Sequence, residues 1–391
     1  MAKRSTTAKR VLLALEWYDH RIHRGVARVA AREGWHLTCT AGLPLPGPVP
    51  PGWRGDGAIS LLPDGLSWRR LRRACPLVVD VGLGPSADIP RTVVDNRAIA
   101  ELAARHFHER GYRHAACITI DGIPMFAERS AAFTEAAARL GMACHRIDLP
   151  PDRSGAAWWR RVRALGRRLS TLPRPLAVFA VQDSLGVEAV LGAREADLAV
   201  PQEAAVLGVD DVELVCDTLV VPLSSVDSDQ EGLGHAAAER LAGLFAGRSD
   251  DGALHRWAPR GITVRASTEA VGATHPGIAR ALDLARRRPE CGLTALARAA
   301  GLSAQGLDKA FRRELGETPG KVLRRLRLER AQRALAGGAT LAVAAEAAGL
   351  ATASGLCALL RRELGITPAR WRERALASIN PPRVHRGARS R

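Results

Sequence analysis

The sequence predicts two architectures in one chain: an α/β body over residues 10–270 and an all-α C-terminal domain with two helix-turn-helix units over residues 277–378. Three observations carry this expectation. Short apolar runs alternate with helix-patterned segments through the body, as in parallel sheets with helices on both faces. The phrase RRELG-x-TP occurs at Arg312–Pro319 and again at Arg361–Pro368, 49 residues apart, each copy downstream of an AAGL run (Ala299–Leu302, Ala347–Leu350). Charge is divided unevenly: residues 275–391 carry 23 Lys+Arg against 9 Asp+Glu, and the other 274 carry 34 against 31. A near-neutral body with a basic helical tail is the electrostatic footprint of a nucleic-acid binder. Only four of the 57 basic residues are Lys, so a bias toward Arg inflates the count, but it does not produce the asymmetry.

Composition narrows the classes. A chain of 391 residues with 47% apolar content has room for two or three folded domains. The seven Cys are scattered, odd in number and never spaced C-x-x-C, which fits reduced thiols in a cytoplasmic protein. The apolar run Val11–Leu15 is too short for a signal-peptide core, and no run is long enough to span a membrane. The sequence has no P-loop, no H-E-x-x-H and no complete G-x-G-x-x-G: Gly82-Leu83-Gly84 lacks the third Gly. His20 and His23 stand three apart with no further ligand nearby, the pattern of a surface pair. The expectation is no enzyme, no cofactor, no metal and no membrane.

In chain order, the body's strand candidates are Val11–Leu15, His36–Cys39, Ala58–Leu62, Leu77–Val81, Ala115–Ile120, Ala177–Val181 and Val206–Val209. The helix candidates are Arg21–Arg32, Ile99–Arg110, Ala127–Leu140, Trp158–Leu169, Leu185–Arg194 and Gln230–Phe245. Polar groups gather where strands end: Glu16–Asp19, Asp95-Asn96, Gln182-Asp183, Asp210-Asp211 and Asp227–Asp229. Singly, each reads as a helix N-cap. Together they lie on the side of a parallel sheet where ligands bind.

Val93–Ile118, Val178–Val190, Ala204–Val215 and Leu223–Asp229 resemble segments of the LacI/GalR-type sugar-sensing domains. That resemblance implies a two-lobed periplasmic-binding-protein-like sensor with an effector in the cleft. It implies effector contacts from Asp95, Arg129, Asp183, Asp210 and Ser228, with Trp17 or Tyr18 covering the apolar face of a sugar ring. Carboxylates accept from vicinal hydroxyls, and the Arg fork donates to them. LacI-type repressors carry a helix-turn-helix ahead of strand one; a strand beginning by Val11 leaves no room for it.

In the tail, Leu293–Ala300, a turn at Gly301-Leu302, the N-cap Ser303 and a helix over Ala304–Leu315 form a helix–turn–helix pattern. Leu341–Ala348, Gly349 and a helix from Thr352 or Ala353 to Leu364 repeat it. Gly320–Ala336 forms a linking helix, with Leu323, Leu326, Ala331 and Leu335 at helical spacing. The GLS and G-x-TP phrases, with Trp371-Arg372 after the second, resemble the AraC/XylS-type DNA-binding domain. Candidate DNA contacts are Ser303, Ala304, Gln305 and Lys309 in the first unit and Thr352 and Ser354 in the second. The pairs Arg312-Arg313 and Arg361-Arg362 are assigned to phosphates, which position without specifying. Gly355-Leu356 and Leu360 replace aromatics of that family, which predicts weaker packing in the second unit.

The two resemblances together imply a sensor (10–270), a linker (271–276), a double helix-turn-helix domain (277–378) and a basic, disordered tail (379–391). The implied protein is a pentose-dependent regulator, with D-xylose as the favoured effector, acting as an activator of a catabolic operon. Its partners would be double-stranded operator DNA, the sugar, a second copy of the chain in a homodimer and, for an activator, RNA polymerase. The alternatives are a solute-binding protein without a DNA role and a regulator sensing a non-sugar small molecule.

Overall fold

The computed structural model describes residues 8–41, 47–62, 65–82, 89–150, 157–250, 252, 254–269, 276–336, 338–367 and 370–371. The expected linker lies almost wholly outside these residues, and the expected basic tail lies entirely outside them. The chain divides into two compact units: Met1–His108 with Arg113–Glu269, and Glu109–Tyr112 with Ala270–Arg391.

The first unit contains two six-stranded sheets. The elements of the first lobe are β1 (Arg10–Leu15), α1 (His20–Glu33), β2 (His36–Cys39), β3 (Gly57–Leu61), α2 (Gly65–Ala74), β4 (Leu77–Asp80) and β5 (Arg91–Val94). The chain then enters the second lobe through α3 (Asn96–Glu109), β6 (His114–Ile120), α4 (Pro124–Arg139), β7 (Ala143–Leu149), α5 (Trp158–Ser170), β8 (Leu176–Ala180), α6 (Asp183–Glu195), β9 (Ala204–Val209), α7 (Glu213–Thr218) and β10 (Ser224–Asp227). It returns to the first lobe for α8 (Gln230–Phe245) and β11 (Leu254–Trp257), and ends in the second with β12 (Gly261–Thr263). The sheet orders are β11-β5-β4-β3-β1-β2 and β12-β10-β9-β8-β6-β7. Every described pairing is parallel except β10–β12. Three crossovers therefore join the lobes: β5 to α3, β10 to α8, and β11 to β12.

The buried apolar runs form the central strands because a strand covered on both faces has no solvent side to mark. Val11–Ala14, Val78-Val79 and Ala177–Val181 are all essentially inaccessible. Glycines allow two helix pairs to touch by backbone. A Cβ on Gly234 of α8 would stand 2.3 Å from the Ile22 carbonyl of α1, and one on Gly166 of α5 would stand 2.0 Å from the Gly192 carbonyl of α6.

The second unit is helical: α9 (Pro276–Arg287), α10 (Leu293–Ala300), α11 (Ala304–Leu315), α12 (Pro319–Ala336), α13 (Leu341–Ala347) and α14 (Ala353–Leu364). Phe311, Leu307, Leu296, Ile278 and Val322 build one core; Leu328, Ala331, Ala344, Leu356 and Leu360 build another. The long helix α12 contributes to both, so its two ends are fixed by different helix pairs. Leu356 and Leu360, which stand where the resembled family carries aromatics, are fully buried in the second of these cores among Leu328, Leu335, Ala344 and Ala345.

Candidate functional site

The polar cluster sits where the lobes meet, at the carboxyl ends of the second-lobe strands. Arg129, on α4, is only 2% exposed. Its Nε donates to Asn96 Oδ1 at 2.9 Å and its Nη1 to the Val181 carbonyl, leaving Nη2 without a partner among the described residues. Burial pulls the guanidinium below its usual pKa, against the attraction of Asp210 and Asp183. Asp210 lies in a turn after β9 where two consecutive non-glycine residues take positive φ, Asp210 at 101° and Asp211 at 50°. Such backbone costs on the order of 1–3 kcal/mol per residue and persists where surrounding contacts impose it. Here Ser228 donates to Asp210 Oδ1 at 2.8 Å, Gln230 Nε2 donates to the same oxygen at 3.1 Å, and Ser225 Oγ accepts from the Asp211 amide at 3.0 Å.

The structure separates the expected effector residues by role. Asp210 and Ser228 are brought into direct contact, with Arg129 close enough to feel the Asp210 charge. Asp183 is committed inside the second lobe: it accepts from Val212 N (2.8 Å), Ser225 Oγ (2.6 Å) and Cys216 Sγ (3.4 Å). Burial and the neighbouring Asp210 charge push its pKa up to about 7. Asp95 accepts from Ala98 N at 3.0 Å and caps α3, so the amide that meets Arg129 comes from its neighbour Asn96. Trp17 and Tyr18 are 47% and 50% exposed, and the Tyr18 hydroxyl lies 3.1 Å from His23 Nδ1. Among the described residues no group of three metal-ligating side chains is arranged around a common point.

Sequence reasoning missed three members of the cluster: Asn96, Gln230 and Arg21. Asn96 and Gln230 were visible as polar residues beside the Asp95 and Asp227–Asp229 strand ends. Arg21 had no comparable signal, because its second-lobe partners lie 189 and 190 residues away. Arg21 also borders a charged cavity of about 310 Å³ lined by Arg24, Asp211, Asp227, Gln230 and Arg260 among others, at the lower end of the range for ligand sites.

In the helical unit, Gly301 takes φ 70° and ends α10, and Ser303 Oγ accepts from Gly306 N at 3.1 Å to start α11. Gln305, Lys309, Arg312 and Arg313 lie along α11, as does Ala304; Arg312 pairs with Asp308 at 2.8 Å. Thr352 Oγ1 accepts from Gly355 N at 3.1 Å and starts α14, along which Ser354, Arg361 and Arg362 lie. Ser303 and Thr352 thus each accept one capping bond, which leaves the hydroxyl proton to donate. A larger cavity of about 500 Å³, lined by Leu293, Ala297, Leu307 and Pro319 among others, lies wholly within this unit and touches none of the effector candidates. Among the described residues no helix is long and apolar enough to cross a membrane.

Residues 104–268 match a family model described as a periplasmic binding protein-like domain, and residues 296–374 match one described as a helix-turn-helix domain. The chain is similar to the xylose operon regulatory protein of Escherichia coli (strain K12), 27% identical over 297 residues, 72% of this chain and 74% of that protein. It is also 25% identical over 223 residues to the transcriptional repressor CytR of the same strain, covering 55% of this chain and 63% of the repressor. Among solved structures, the xylose-binding transcription activator xylR superposes with a TM-score of 0.59 at 22% identity, covering 94% of this chain and 98% of that one. A LacI-family regulator from Corynebacterium glutamicum superposes with 0.53 at 20% identity over 66% of this chain and 97% of that one.

These matches correct the expected AraC/XylS-type assignment. The tail matches one helix-turn-helix domain, and several of the solved structures sharing the body are described as LacI-type regulators. The phrases that carried that resemblance are cap and turn chemistry: Ser303 and Thr352 cap helices, and Gly316 and Gly365 end them at positive φ. Any helix-turn-helix can use those devices, so they do not discriminate its class. The chain combines a periplasmic binding protein-like domain with a helix-turn-helix domain, and the relatives it is similar to are described as transcription regulators.

Proposed function

We propose that the chain is a transcription regulator in which a pentose, D-xylose first, binds between the two lobes and alters binding to operator DNA. The supporting observation is the convergence of a buried cation and a carboxylate from different elements: Arg129, whose Nη2 has no partner among the described residues, and Asp210, held by Ser228 and Gln230. A guanidinium within reach of a carboxylate's charge suits vicinal hydroxyls, which donate to one and accept from the other. The similarity to the xylose operon regulatory protein favours a pentose.

The helical unit supplies the DNA contacts in this reading. Both α10–α11 and α13–α14 act as helix-turn-helix pairs, with Gln305 and Lys309 toward base edges in the first and Ser354 in the second. The arginine pairs at 312–313 and 361–362 lie against phosphates. The regulator is a cytoplasmic homodimer that activates a catabolic operon by contacting RNA polymerase. Sensor, linker and DNA-binding domain keep the bounds read from the sequence. Thermal-shift screening against pentoses and hexoses tests the sensor: a saturable rise in melting temperature is expected for D-xylose, because a ligand that binds only the folded state stabilises it. No response to any sugar removes the sugar assignment.

A further inference from the structure

Arg21 reaches from the first lobe to the turn that carries Asp210. It stands in the first turn of α1, a helix of the first lobe packed on α8. Asp19, the N-cap of that helix, holds its guanidinium by two edges, Nε to Oδ1 at 3.1 Å and Nη2 to Oδ2 at 2.7 Å. The remaining nitrogen, Nη1, reaches the second lobe and donates to two consecutive carbonyls, Asp210 at 2.5 Å and Asp211 at 3.1 Å. Burial works against the charge, but the bonds to Asp19 outweigh it and hold the guanidinium above its usual pKa.

The carbonyls it grips belong to the turn with two positive-φ aspartates. From within its own lobe the turn is tied at Asp211, whose carboxylate accepts from Thr263 Oγ1 at 2.6 Å and from Arg265 at 2.7 Å. On the Asp210 side, the ties come from the crossover residues Ser228 and Gln230 and from Arg21. Among the described residues, every direct tie on Asp210 except its β10 backbone bond therefore comes from the crossover or from the first lobe.

We infer that Arg21 is a positioning residue that clasps the two lobes and sets Asp210 for the effector. Its effector arm rests on the sugar reading above; the clasp itself does not. Planar geometry lets one guanidinium serve Asp19 and both carbonyls together, which a lysine ammonium cannot reproduce. Opening the lobes breaks two charge-assisted bonds and releases the turn that carries Asp210, so a ligand that binds Asp210 in its held position favours the clasped state. A ligand shifts such an equilibrium only by its differential affinity for the two states, so losing the clasp raises the cost of binding.

The test uses the full chain with Arg21→Ala and Arg21→Lys, measuring amide hydrogen exchange without sugar and D-xylose affinity by calorimetry. Faster exchange in Arg21→Ala confined to residues 209–213, an intermediate rate for Arg21→Lys, and a loss of about ten-fold or more in D-xylose affinity are expected, the scale of a charged hydrogen bond. Unchanged exchange in that segment overturns the clasp, as does acceleration spread over every second-lobe peptide, which is general loosening. If the wild type binds no sugar while exchange still rises locally, the sugar reading fails and the clasp stands.

Discussion

Asp183→Asn removes a carboxylate that the fold keeps from ionising. Its pKa rises from the ordinary 3.8 to about 7, first through burial and then through the Asp210 charge, with bonds from Ser225, Val212 and Cys216 opposing. Between those two values the folded chain holds a proton that the unfolded chain has lost. The group's contribution to stability is therefore greatest below pH 4, declines as pH rises, and levels off above about 7. A displacement of roughly three units corresponds to about 4 kcal/mol across that window, at about 1.4 kcal/mol per unit. The amide in the variant cannot ionise, so wild-type stability minus variant stability should fall by that order between about pH 4 and 7.5. Asp19, Glu239 and Asp250 are shifted the other way, but both proteins share them and they cancel in the difference. The variant also presents an amide to the Val212 N–H if its oxygen keeps the Ser225 bond, a roughly pH-independent cost of about 1–3 kcal/mol. Urea denaturation at half-unit pH steps measures the difference curve. Parallel curves would refute the reasoning, because Asp183 would then be ionised throughout, held so by Arg129.

Arg129→Met should weaken D-xylose binding at least ten-fold, and it also leaves the Asn96 and Val181 oxygens without a donor at about 1–3 kcal/mol each; calorimetry and a melt separate the two effects. Gly234→Ala gains about 1 kcal/mol of helix propensity but drives a methyl to 2.3 Å from the Ile22 carbonyl, so net destabilisation of a few kcal/mol is expected in chemical denaturation. Gln305→Ala should relax preference at one base pair while leaving binding to random DNA unchanged, read by competition against mutated operators. Arg313→Ala should weaken all sequences alike and lower the slope of log affinity against log salt by about 0.9.

The parts of the fold legible in the sequence are those where burial writes an uninterrupted apolar run. Val11–Leu15, Ala177–Val181 and Val206–Val209 fall on β1, β8 and β9. Of the strands that escaped, β7, β11 and β12 are edge strands that expose most of their residues at least partly, with His145, Arg146 and Arg256 interrupting the pattern, while β5 and β10 are interior but only four residues long. The helix α2 hides behind four arginines, although Trp68, Leu71 and Ala74 mark its buried face. At the site, Asp210, Ser228 and Arg129 could be picked out because strand ends and a resemblance pointed to them. Their partners could not, since Asn96 meets Arg129 across 33 residues and Arg21 meets Asp210 across 189, and only the folded lobes bring them together. Asp183 was named from its place at a strand end, and the three bonds it accepts within the second lobe are what that place did not reveal.

In the proposed regulator, sugar and DNA binding are coupled within one chain. Calorimetric titration of D-xylose into the full chain, alone and with operator DNA, tests it most directly. A coupling of about 1–3 kcal/mol predicts that DNA changes sugar affinity by roughly 5–150-fold, and that sugar changes DNA affinity by the same factor. Sugar affinities identical with and without DNA would contradict it.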